Sequence, residues 1–447
     1  MISKQKKLFL ISELVLFSLA LLFIVFNNLT PSSAIGVLLI TMIIPLFLII
    51  PYYTILILII IRNSTDLYTE SIFLNFFNVI TLNFSSLLGV LVIFFGIITI
   101  IRKRIDWKKI PLIIPWLLFI AFSAISIIYS VDQASSIKTL MRLISTFFIF
   151  IIAFIYFQEN KGKKDLFIKA LFISYLLPCI LGIYQVITQK GFHGAEGFFR
   201  INGTYFHPNS FAFNLFFIFF IFTGLYFNSK KHSKKTFLYL MILMALILFT
   251  LTRSAWIGLI LFIAIILIIY ERKRLIKYSI LGISLIFIFL ILNNYTALKY
   301  FDWNTVSLVR RVTTSSNLLS SWEWRIKTWT EMTEYVYQAP VIGFGLDTYR
   351  FLRNKQVSDV TESLYAHNDY LKIVIELGFL GLLLYLNLIY QTLKNILRKF
   401  IKSKDKRYLI TFIGIIIIYL ISLVDNIMLS TGLQWVLWTY IAYLLAE

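Results

Sequence analysis

Charge is scarce in this sequence: only 14% of its 447 residues are Asp, Glu, Lys or Arg, against roughly 25% in an ordinary soluble domain. A water-soluble globule of this length is thereby excluded. Cysteine is nearly absent. The single Cys179 lies in an apolar run, so no disulfide can form within the chain. The four histidines, His193, His207, His232 and His367, show no metal-ligand spacing, which argues against a structural zinc site. Asp-x-Asp pairs, a P-loop and GxGxxG are all missing. A nucleotide-sugar transferase that works through a metal is therefore poorly supported, and an ATPase lacks its motif.

Apolar residues, by contrast, make up 59% of the chain, with a mean hydropathy of +0.85. Runs of about 18 or more apolar residues recur from end to end, the length that crosses hydrocarbon as a helix. Membrane-spanning strands would show short alternating segments instead. The expected fold class is all-α, a polytopic membrane protein. The net charge of +21 need not mean nucleic acid, because the cations are crowded into short loops between spans. Five such loops, Arg102–Lys109, Lys161–Lys164, Lys230–Lys235, Arg272–Lys277 and Lys394–Arg407, hold more than half of the 42 Lys and Arg residues. A positive-inside bias places all five in the cytoplasm. The opening Lys4, Lys6, Lys7 and the run Leu8–Phe26 resemble the start of a signal peptide. No A-x-A-like site follows, so an uncleaved first helix is expected.

Ten crossings follow the first basic loop: 110–130, 139–157, 166–188, 207–228, 236–252, 254–270, 278–293, 371–393, 408–427 and 431–446. Ahead of it, 8–26 and 84–101 are single spans. The run 34–61 contains Pro45 and Pro51 and is either one kinked helix or a hairpin, which gives 12 to 14 spans in all. Three parts result: N-terminal spans in 1–293, an extracytoplasmic and partly helical loop over 294–370, and C-terminal spans in 371–447. Between Asn294 and Asp369 the loop balances eight Lys/Arg against eight Asp/Glu and carries Trp303, Trp322, Trp324 and Trp329. A loop of this length is usually functional, and the stretch Trp322–Tyr337 is suited to lie on the membrane surface as a helix.

Several polar residues then fall on the face opposite the basic loops: Arg200, Arg253, Arg325 and His367. Arg253 is flanked by apolar helices and has no basic neighbours. An arginine at a span's centre costs about 2.5–3.5 kcal/mol on insertion scales. It either snorkels to headgroups or holds an anionic ligand. Several guanidinium groups on one membrane face suit a lipid pyrophosphate, because each fork donates two parallel hydrogen bonds. With an ordinary pKa of roughly 6.5, His367 can take or give a proton, or it can belong only to the cap of the next helix with Asn368 or Asp369. His207-Pro208-Asn209 opens another helix, and His207 is read as structural or supporting. Gly343-Phe-Gly345 is a turn next to Pro340.

These residues resemble the superfamily of O-antigen ligases and O-antigen polymerases, bacterial membrane glycosyltransferases. Gly343-Phe-Gly345, Ala366-His367-Asn368-Asp-Tyr-Leu371 and Glu376-Leu-Gly378-Phe-Leu-Gly381 are similar to the family's series around its large loop. Gly203-Thr-Tyr-Phe-His207-Pro-Asn209, Thr252-Arg253-Ser254-Ala255 and Arg325 four residues before Trp329 add to the likeness, which covers about residues 200–385. The resemblance implies a multi-helix, GT-C-like fold in the bacterial cytoplasmic membrane, with its active face extracytoplasmic. It implies transfer of an oligosaccharide or polysaccharide from undecaprenyl pyrophosphate to an acceptor sugar hydroxyl, the acceptor itself being a glycan or lipid-linked. No metal or other cofactor is expected, and no nucleic-acid partner. By position, Arg200, Arg253 and Arg325 would bind the pyrophosphate, Arg325 and His367 would be catalytic, and His207, Asn209 and Asn368 would support them. A lipid-linked oligosaccharide flippase is the alternative from another class, although transporters more often show paired repeats and broken midplane helices.

Overall fold

The computed structural model describes residue 18 and residues 31–68, 73–76, 80–193, 199–229, 233–270, 321–356, 364–428 and 430–447. The expected spans 8–26 (Ser18 aside) and 278–293, the basic loop Arg272–Lys277 and Trp303 lie outside the described residues. Helices are α1 (Pro31–Ile49), α2 (Pro51–Ser64), α3 (Phe84–Lys103), α4 (Ile113–Ile125), α5 (Gln133–Glu159), α6 (Lys164–Thr188) and α7 (Pro208–Asn228). They continue as α8 (Lys234–Phe249), α9 (Arg253–Tyr270), α10 (Ser321–Gln338), α11 (Tyr349–Gln356), α12 (Asp369–Ser403), α13 (Lys406–Ile421) and α14 (Thr431–Ala446). Two antiparallel ribbons are the only sheets among the described residues: β1 (Phe73–Phe76) with β2 (Ile80–Asn83), and β3 (Phe192–His193) with β4 (Phe199–Arg200). The chain is an all-α polytopic membrane protein.

Six described helices are long and apolar enough to cross a bilayer: α3, α5, α6 with the short turn ahead of it, α7, α9 and α12. Polar caps set several starts. Asn83, Asp132, Ser233, Asn368 and Asp405 each accept a backbone N–H from the first turn of the helix that follows. Pro51 and Pro208 occupy first-turn positions where no N–H is needed. The apolar run 34–61 is divided at Ile50–Pro51, so it forms two helices, α1 and α2.

Basic loops gather at one end of the bundle. Lys103 pairs with Glu159, and Lys164 and Arg407 pair with Glu447. The Tyr52 hydroxyl donates to the Lys163 carbonyl, and Arg102 donates to the carbonyl of Leu48. The basic stretch 394–407 is largely not a loop: α12 continues through it to Ser403. A core of close-packed aromatics fills the bundle, with Trp116 against Trp438 at 4.7 Å between ring centroids.

At the opposite end, α12 is broken at Gly378 (φ 63°, ψ −174°). A break of this kind strands N–H and C=O groups. Here the segment 340–345 satisfies them. Phe344 and Gly345 donate to the carbonyls of Ile375 and Glu376 before the break, and Phe379 and Leu380 donate to Pro340 and Val341 after it. Side chains at Gly343 (φ +68°) or Gly378 would overlap the backbone across this seam. Beside it, Lys372 lies 3.3 Å from Asp347 and 3.2 Å from Glu376, and the Glu376 carboxylate also accepts from the Tyr349 N–H. The Leu346 carbonyl accepts from the Ser136 hydroxyl and its N–H donates to Ser126, so the turn is also tied to the α4–α5 connection. Helices α10 and α11 form a small core of their own from Met332, Tyr349, Leu352 and Ala366 with Ile375. An ion pair between buried Arg353 and Glu331 fastens α11 to α10.

Gly343→Ala is expected to lower the thermal midpoint in detergent substantially. A left-handed non-glycine residue costs on the order of 1–3 kcal/mol, and the overlap with Glu376 adds to it. Gly162→Ala, where a Cβ meets no atom within 4 Å, should melt like the wild type. Equal melting of all three proteins would contradict the seam's role.

Candidate active site

Beyond the broken helix, four loop or helix-start segments converge on one carboxylate. The turn between α13 and α14 is held from below by Asp369 at the start of α12, whose carboxylate accepts the N–H groups of Ile427 and Met428 at 2.8 and 3.0 Å. The Asp369 N–H donates to the Ser422 carbonyl. This fixes Asp425, a buried residue that the sequence reading did not single out. Its Oδ2 accepts from the Asn209 amide at 3.0 Å and from the Ser254 hydroxyl at 3.2 Å. Its Oδ1 accepts the Asn426 N–H and lies 3.5 Å from Nδ1 of His367. That distance is at the long limit for a hydrogen bond, so the His367 contact is mainly electrostatic.

Arg200 reaches the same cluster from β4. Its Nε donates to the Thr250 carbonyl at 2.8 Å, and one terminal nitrogen donates to Asn209 Oδ1 at 2.7 Å and to the Thr252 hydroxyl at 3.0 Å. The strand's approach is set by Gln185, which accepts from the N–H groups of Asn202 and Gly203. Arg253 opens α9 between Thr252 and Ser254 and is exposed. Arg325 is half-buried on α10, within the electrostatic reach of both Asp425 and Arg253. The same helix turn carries Trp324, whose ring meets the His367 imidazole edge-on at 5.6 Å. The Trp329 indole donates to the Ala366 carbonyl at 2.7 Å. His367 itself is held in a left-handed conformation, φ 46°, which is strained for a residue with a Cβ and often marks a working position.

Electrostatics divide the roles. Burial alone would raise the Asp425 pKa, but the imidazole of His367 and the charge of Arg325 bring it below the ordinary carboxylate value. Asp425 is therefore an anion at neutral pH. Burial lowers the pKa of Arg325, with Asp425 opposing and Arg253 reinforcing, yet a guanidinium remains protonated. His207 is different. Burial and the neighbouring Arg200 push it down to about 4, and its Nδ1 accepts the Asn209 N–H at the start of α7. It is a neutral capping residue. Asn368 likewise caps α12 through the Leu371 N–H. Arg200, Arg253 and Arg325 make the surroundings of Asp425 rich in cations.

Of the four predicted residues, His367 and Arg325 are brought to Asp425, Arg200 is linked to it through Asn209, and Arg253 is placed by its neighbour Ser254 with its own side chain exposed. The sequence did hold a signal for Asp425: it is the one acidic residue between Lys406 and Ala446, and a lone acid among spans implies a buried partner. Residues 238–386 match the O-antigen ligase family. The matched segment is a third of the chain. It contains Arg253, Arg325, His367 and the Gly378 seam, while Arg200 and Asp425 come to the site from outside it. Among curated proteins, the chain is similar to a ComP-specific O-oligosaccharyltransferase of Acinetobacter baylyi, 26% identical over 66% of this chain and 56% of that protein. It is also similar to a Rickettsia conorii protein named as a polysaccharide ligase, 30% identical over 16% of this chain and 20% of that protein. The matched regions thus span little more than half of the one relative and a fifth of the other.

Titration of His207 has a sign that can be checked. Its folded pKa lies below the ordinary 6.5, so between about 4 and 6.5 the unfolded chain binds the extra proton and stability falls as pH falls. The thermal midpoint should drop across that window, and His207→Gln should flatten the drop. An unaltered pH profile in the variant would remove His207 as its source.

Proposed function

We propose that this protein transfers a glycan from undecaprenyl pyrophosphate to an acceptor hydroxyl at the outer leaflet of the bacterial cytoplasmic membrane, as a polysaccharide polymerase or an O-antigen-type ligase. The observation that carries this reading is that buried Asp425 holds His367 and Arg325 beside it and, through Asn209 and Ser254, the segments that bear Arg200 and Arg253, at the end of the bundle away from the basic loops. By the positive-inside bias that end is extracytoplasmic. A cluster rich in guanidinium groups suits a pyrophosphate diester. Arg200, Arg253 and Arg325 would hold the diphosphate and offset the charge that it gains as it leaves.

The acceptor oxygen attacks the anomeric carbon, and the bond from that carbon to the pyrophosphate oxygen breaks with its electron pair going to the lipid diphosphate. The hydroxyl proton passes to His367. Because Nδ1 faces Asp425, the proton that His367 already carries is placed there, leaving Nε2 to accept. Asp425 stabilises the imidazolium that forms and, through Asn209 and Ser254, fixes the segments that bear Arg200 and Arg253. The activated donor supplies the driving force, and this scheme calls on no metal or ATP site. Relatives named for glycan transfer and ligation favour this account over a flippase.

In liposomes given synthetic undecaprenyl-pyrophosphate oligosaccharide on the site's side, the wild type should form longer or transferred glycan. Arg325→Ala should abolish transfer with folding intact, leaving the donor unconsumed. His367→Ala and Asp425→Asn should each slow turnover by about 100-fold or more, the usual scale for losing a general base or its support. Donor that is only moved across the bilayer by the wild type, or normal product from Arg325→Ala, would reject the proposal.

A further inference from the structure

A separate pair of cations lies on α5, near the outer boundary of the membrane. Lys138 and Arg142 lie one turn apart on α5, both exposed, beside exposed Ile137 and Met141. This face of α5 therefore meets lipid. Helix α5 ends at Glu159, which pairs with Lys103 at the basic end. The roughly 20 residues that cross the hydrocarbon, counted back from there, end near residue 140. Lys138 and Arg142 consequently bracket the outer boundary, the depth of lipid phosphates. Neither forms an ion pair among the described residues. They are also poorly placed as topology signals, because they lie at the end opposite the basic loops.

Behind Arg142 is a cavity. Arg142 lines it together with Trp116, Tyr385, Trp438 and Met428, and the Lys372–Glu376 pair of the seam forms part of its wall. Its volume, about 70 Å³, is too small for a sugar chain but takes part of one apolar lipid tail. Met428 belongs to the same turn as Asp425, three residues away, and is pinned by the Asp369 carboxylate. A lipid seated here would have its tail in an aromatic-walled slot, its phosphate on Lys138 and Arg142, and its headgroup beside the turn that carries the reactive cluster.

We propose that Lys138, Arg142 and this cavity form a second lipid-phosphate site, which holds the carrier of the acceptor glycan. The inference rests on the transfer reaction proposed above and narrows it: the acceptor is itself lipid-linked, and the two substrates approach from different sides of the α13–α14 turn. The donor phosphates lie on the three arginines, the acceptor phosphate on α5. Guanidinium and ammonium groups attract any lipid phosphate, and an ordinary anionic phospholipid is the competing source.

The test uses the full chain in liposomes, the synthetic donor and two acceptors: the repeat glycan on a polyprenyl pyrophosphate, and the same glycan free in water. For the double variant Lys138→Gln, Arg142→Gln, KM for the lipid-linked acceptor should rise about tenfold. Its kcat, and transfer to the free glycan, should stay at the wild-type level. Lys138→Arg with Arg142→Lys should restore the low KM. An unchanged KM for the lipid-linked acceptor overturns the site, and so does an equal loss with both acceptors. Repeating the assay in purely zwitterionic vesicles and in vesicles containing phosphatidylglycerol separates the sources. A KM difference confined to the anionic vesicles means that the cations serve bulk phospholipid, which also overturns it. Wild-type protein that transfers to neither acceptor would instead sink the underlying transfer reaction.

Discussion

The backbone exchange across Gly378 is the interaction on which the site depends. A helix interrupted near the membrane boundary must find partners for its freed amides and carbonyls, because lipid offers none. The segment 340–345 supplies donors to one half and acceptors to the other. That single arrangement sets where the first half of α12 points, and so where Asp369 and the turn it grips are placed. It also explains the glycines. Gly343 and Gly378 adopt left-handed backbone at points where two main chains touch, and a Cβ at either would separate them.

From that foundation, order passes outward through buried carboxylates. Asp369 holds the α13–α14 turn, Asp425 at the turn's centre draws in Asn209 and Ser254, and these bring Arg200 and Arg253 with them. Helix α10 closes over the cluster with Arg325 and Trp324. A buried carboxylate is costly when unpaired, so each of these contacts stabilises the fold and positions the site together. The strained backbone at His367 is tolerated because the segments on both sides are pinned, by Trp329 at Ala366 and by the Asn368 cap.

Much of this was legible in the chain's linear pattern, and the parts that were not share a cause. Apolar runs and basic loops marked the bundle and its two ends because each helix answers to lipid locally. Arg200, Arg253, Arg325 and His367 were visible as polar residues out of place among apolar neighbours. Asp425 was overlooked because it stands beyond the stretch where the family resemblance is dense, in a short turn that reads as a connector. The split of 34–61 at Pro51 and the continuation of α12 to Ser403 were ambiguous for a different reason. Proline permits either a kink or a stop, and lysines suit both a loop and the polar end of a long helix.

The broken helix also constrains how the protein is made. Residues 340–345 emerge from the ribosome before residues 369–403, so the clasp is made before the interrupted segment with which it must pair. The second half of α12 can be satisfied in lipid only once that pairing has formed. A chain in which the clasp had not formed would present raw peptide groups to the bilayer.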